Sequence, residues 1–111
     1  MFVKEEIIKR MDVFDALCET HDVKRMHVFG SSVTGSFDFA KSDIDILVEL
    51  NITDPLEKGE KLISLWDALE SFFHRKVDLL TESSIKNPYL RHNINASKIL
   101  VYDRESTQVF V

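Results

Sequence analysis

Two carboxylates set the chemistry open to this chain. Asp43 and Asp45 alternate with Ile44 and Ile46 in the stretch SDIDILVE. Side chains two apart on a strand share a face, so this alternation predicts both carboxylates on one side and both isoleucines in a core. Like charges about 6–7 Å apart repel unless something positive lies between them, which makes a divalent metal the obvious candidate. Upstream, the apolar run 26–29 stops at Gly30-Ser31, and Gly35 follows. A tight turn that ends a strand and opens a helical turn gathers unpaired backbone N–H groups, the usual place to hold a phosphate. Glycine lets an anion approach the backbone, and the serine hydroxyl adds a donor. Taken alone, Gly-Ser after a strand is more often just a turn. A third carboxylate, Asp78, has apolar neighbours on both sides in VDLL. On local sequence it reads first as an edge carboxylate facing water.

The elements that must position these groups follow from periodicity. Residues 2–20 carry apolar side chains at Val3, Ile7, Met11, Phe14, Leu17 and Cys18, the spacing of one amphipathic helix covering a sheet. Strands are predicted at 26–29, 42–50, 77–80 and 98–102. Asp54-Pro55 opens a long helix over 55–73, with Leu62, Leu65, Trp66, Leu69, Phe72 and Phe73 as its apolar stripe. Trp66 is read as core. Asn87-Pro88 starts a further helix over 88–96, with Leu90 and Ile94 inward. The first two strands are too close in sequence for a crossover and are expected antiparallel, whereas the long helix permits a parallel return. The outcome is an α/β (α+β) chain, a small mixed sheet of three to four strands with helices packed on one face.

The 111 residues are expected to form a single domain, with a core over about 5–102 and a tail at 103–111. Eight Phe and one Trp within a 44% apolar composition supply that core, and no apolar run is long enough for a membrane span. The opening residues lack a secretory h-region, so a cytoplasmic location is expected. Cys18 is the sole cysteine, which excludes an intramolecular disulfide and an all-cysteine zinc site. A net charge of −5 disfavours autonomous nucleic-acid binding. His21, His27, His74 and His92 show no shared metal spacing and read as structural or surface residues.

FGSSVTG, SDIDILVE and KVDLL, in that order, resemble the minimal nucleotidyltransferases (MNT) of the DNA polymerase beta superfamily, with a pattern of Gly-Ser, Asp-x-Asp and a third carboxylate on the next strand. The resemblance covers residues 5–102, and Tyr102-Asp103 looks like the family's usual end. One departure is an additional residue in the loop between Ser31 and Asp43. The resemblance implies the nucleotidyltransferase fold, with Gly30 and Ser31 holding the β- and γ-phosphates of ATP. It also implies Asp43 and Asp45 binding two magnesium ions (Mg2+), and Asp78 binding the catalytic ion and assisting deprotonation of an acceptor hydroxyl. The chain is further similar to the antitoxin half of two-gene toxin–antitoxin systems, in which the transferase adds AMP to a tyrosine of a HEPN ribonuclease toxin. That likeness implies a HEPN-type partner and AMPylation of it, with no membrane partner and homo-oligomerisation left open. A non-catalytic antitoxin that covers its partner sterically is the alternative, and nucleotidylation of a small molecule such as an aminoglycoside is a third reading.

Overall fold

The computed structural model describes residues 2–34 and 43–105; the expectations for the loop after Gly35, for Ser42 and for the end of the tail lie outside the described residues. A four-stranded sheet runs in the order β3-β2-β1-β4. Its strands are β1 (Val23–Phe29), β2 (Ile44–Leu50), β3 (Val77–Leu80) and β4 (Ile99–Asp103). β1 pairs antiparallel with both β2 and β4, while β2 pairs parallel with β3. The crossover that makes β3 parallel is the long helix α4 (Pro55–Phe73). The mixed sheet and its antiparallel opening pair are as the spacing predicts.

The predicted N-terminal helix is two helices, α1 (Phe2–Lys9) and α2 (Met11–Thr20). They break at Arg10, whose backbone leaves the helical region at φ −135° and ψ 48°. Its guanidinium donates to the Phe72 carbonyl and lies 4.1 Å over the Phe72 ring, a tertiary contact that periodicity does not encode. Val3 and Ile7 from α1 and Phe14 and Cys18 from α2 still reach the core, but Met11 is turned outward. β1 also begins earlier than expected. Lys24 and Arg25, outside the predicted strand 26–29, lie in the observed one, where Arg25 Nε pairs with Glu49 Oε2 at 3.1 Å across the ladder.

Alternation gives the sheet two unequal faces. Met26, Val28, Ile44, Ile46, Val48 and Val77 belong to the main core with α1, α2 and α4. Phe29 and Leu47 point the other way, and a second cluster forms there with Ile85, Ile94 and part of Leu80. Helices therefore cover both faces: α3 (Ser31–Thr34) is a single turn after β1, and α5 (Pro88–Ser97) packs on the second face. The expected one-sided cover is corrected by these two apolar residues, which would otherwise face water. Capping follows the sequence signals: Asp54 accepts from Glu57 N at 2.9 Å, and Asn87 accepts from Tyr89 N at 2.8 Å. Buried His21 is a tie between helices, Nδ1 donating to the Leu17 carbonyl at 2.8 Å and Nε2 sharing a hydrogen bond with Ser64 Oγ at 2.9 Å. Among the described residues no helix is long and apolar enough to cross a membrane.

Candidate active site

Sheet register brings the candidate residues together. Phe29 sits opposite Asp45 on the antiparallel side, and Asp45 is level with Asp78 on the parallel side. Level residues on neighbouring strands point the same way, so Asp45 and Asp78 project from one face about 4.8 Å apart in the sheet direction. Asp45 lies inside β2, whereas Asp43 lies exposed just before the strand begins. The expectation that Asp43 belongs to the strand is corrected: the ladder with β3 starts at Ile44.

Gly30 closes the site from the β1 side. Its φ of +66° is a left-handed conformation that glycine adopts freely. A Cβ at that position would lie 2.5 Å from Asp45 Oδ2, so any other residue would strain the backbone and push the Asp45 carboxylate aside. Ser31 then opens α3, and the turn is tied by Val33 N donating to the Gly30 carbonyl at 3.1 Å. Ser32, which motif reasoning passed over, is buried, and its hydroxyl accepts from Asp45 N at 3.3 Å. The Gly-Ser turn and the carboxylate strand are thus joined directly. Two adjacent serines after a glycine were a legible signal that one would face the loop and the other the fold.

Gly30, Asp45 and Asp78 line one cleft of about 370 Å³. Its opposite wall is α5, through Leu90, Asn93 and Ser97, with Leu80 and Ile94 at the apolar end. Leu90, expected inward, is 42% exposed and forms cleft wall instead of core. Asn93 was missed because a polar residue on a helix carries no periodic signal. Ser31 and Asp43 stand beside this cleft in sequence and do not line it.

The electrostatics favour a cation. Burial pushes the Asp45 carboxyl up to about 6, and the neighbouring charges of Asp78 and Asp43 add to the shift. Among the described residues no Lys or Arg forms an ion pair with any of the three. Nor are three His, Cys, Asp or Glu side chains gathered there closely enough to make a ready metal shell. The donor set, all oxygen and without a cationic side-chain partner among the described residues, fits a hard divalent ion such as magnesium.

A family model described as "Nucleotidyltransferase domain" matches residues 10–101. A protein of Methanocaldococcus jannaschii named "Putative protein adenylyltransferase" is 35% identical over 99 residues, covering 89% of this chain and 94% of the relative. A second of the same name and organism is 39% identical over 85 residues, covering 77% and 83%. A solved structure described as a "putative minimal nucleotidyltransferase" superposes with TM-score 0.68 at 28% identity, covering 88% of this chain and 95% of the other. A crystal structure of a toxin–antitoxin with AMP-PNP shares the fold with TM-score 0.61 at 22% identity, covering 92% and 74%.

Proposed function

The chain belongs to the nucleotidyltransferase domain family, and from that premise we propose that it transfers AMP from ATP to a hydroxyl, a tyrosine of a HEPN-type ribonuclease toxin, and so acts as the antitoxin of a pair in the cytoplasm. The observation that carries this reading is the register that sets Asp45 beside Asp78 and against Gly30 in one cleft. Support for protein as acceptor comes from relatives named for protein adenylyl transfer, and for the antitoxin role from the shared fold of a toxin–antitoxin structure.

Asp43, Asp45 and Asp78 would hold two magnesium ions, which when bound neutralise the triphosphate and acidify the acceptor hydroxyl. Gly30 leaves the backbone open to the β- and γ-phosphates, and Ser31 offers its hydroxyl as a donor. The acceptor oxygen forms a bond to the α-phosphorus as the bond from that phosphorus to the bridging oxygen breaks, and pyrophosphate leaves. Exposed Asp78 receives the hydroxyl proton on its carboxylate. Asp45 fixes the reacting end of the cleft, because its amide is held by Ser32 and its carboxyl abuts Gly30.

The test is mass spectrometry of whatever HEPN-type, all-helical protein the neighbouring reading frame proves to encode, after incubation with this protein, ATP and magnesium. An AMP adduct on a tyrosine, absent with Asp43→Ala/Asp45→Ala, is the expected result. Neutralisation by an Asp43→Ala/Asp45→Ala/Asp78→Ala variant without any adduct would establish steric cover instead.

A further inference from the structure

β3 is the edge strand that carries Asp78, and among the described residues it has a ladder on one side only. Along a parallel ladder, successive residues direct their N–H and C=O groups to opposite sides. Ile44 N donates to the Lys76 carbonyl at 3.0 Å, so Lys76 faces β2 and both backbone groups of Val77 face away from the sheet. Those outward groups are held by α4. Glu70 Oε2 accepts from Val77 N at 3.0 Å, and Trp66 Nε1 donates to the Val77 carbonyl at 2.7 Å. Trp66 and Glu70 are one helical turn apart, so a single face of α4 grips the donor and the acceptor of one residue. The Val77 side chain is buried in the main core on the same side of the sheet as α4. Val77 is therefore fixed at its N–H, its C=O and its side chain, and Asp78 leaves the next position toward the cleft. Trp66 is 44% exposed, so burial does not account for where it sits; its indole N–H does.

We propose that Trp66 and Glu70 are positioning residues that set the placement of Asp78 in the cleft, an inference that rests on the reading of Asp78 as a working carboxylate. They touch no substrate and act through the Val77 backbone. Hydrogen-bonded supports one step behind a metal ligand govern its orientation, and losing one weakens metal affinity or activity about ten-fold or more.

The experiment titrates the full chain with Mn2+ alone by calorimetry, well below the melting temperature, and measures AMP transfer in parallel. Trp66→Phe keeps a ring and removes the N–H; Glu70→Ala removes the acceptor; Glu70→Gln keeps an acceptor oxygen. Mn2+ affinity and kcat fall about ten-fold in the first two and are retained in Glu70→Gln, with KM for ATP changing less than about two-fold. Unchanged Mn2+ affinity in folded Trp66→Phe and Glu70→Ala overturns the proposal, as does an equal loss in Glu70→Gln, which would point to charge. A wild-type chain that binds Mn2+ but transfers no AMP overturns the proposed reaction, and the affinities still decide the positioning role. Wild type that binds no Mn2+ overturns both.

Discussion

Asp45 is the residue on which the site's stability and its chemistry conflict. Its carboxyl is raised from an ordinary 3.8 to about 6, by burial first and by Asp78 and Asp43 next. The folded state therefore holds a proton that the unfolded chain releases, and the stability tied to that proton is complete below about 3.8 and lost as pH rises through about 6. Asn cannot ionise. In metal-free protein at about pH 8, Asp45→Asn should raise stability by about 1–2 kcal/mol after allowance for solvent screening, and thermal melts at about pH 3.5 should show no gain. Equal melting of the two proteins at both pH values would contradict the account. The doublet Asp43/Asp45 was legible because alternation with isoleucine is a local pattern. That only Asp45 lies in the ladder was not, because the start of pairing depends on β3. Trp66 was misplaced for a similar reason: helical spacing places it on the apolar stripe, while its hydrogen bond to the edge strand pulls it to the margin.

At the scale of elements, α5 links fold to cleft. Its first turn is capped by the Asn87 side chain, which accepts from Tyr89 N and Leu90 N, and Leu90 is cleft wall. Asn87→Ala should cost about 1 kcal/mol in urea unfolding and loosen that wall, lowering ATP affinity more than it lowers kcat. An unchanged unfolding midpoint would show that Arg91, which donates to Glu82 and to the Ile85 carbonyl at 2.7 Å, secures the turn without the cap. Element boundaries marked by caps, at Asp54-Pro55 and Asn87-Pro88, were readable from sequence. The break between α1 and α2 was not, since the apolar spacing runs through Arg10 and only the contact with Phe72 shows why the chain turns there.

Across the whole molecule, Phe14 joins the layers. It is fully buried, its ring 5.5 Å from that of Phe72 on α4 and 6.4 Å from that of Tyr102 on β4. Phe14→Ala should destabilise by about 3–5 kcal/mol, a large share of the roughly 5–15 kcal/mol typical of a domain, read from chemical denaturation. Beside it, Cys18 is fully buried and burial pushes its thiol well up, so alkylation should proceed only as fast as the chain unfolds. The sequence by itself determined the strand types, the helices opened by Asp54-Pro55 and Asn87-Pro88, the crossover and the Asp43/Asp45 doublet, because each is written in spacing of a few residues, whereas Gly30 and Asp78 stood out only through the resemblance of three motifs in order. Tertiary structure alone decided that Asp45 and Asp78 are level, that Gly30 leaves room for Asp45 Oδ2, that α5 closes the second face, and that Trp66 and Glu70 hold the edge strand. These are relations between segments far apart in the chain, and no local period records which face of one segment meets which edge of another.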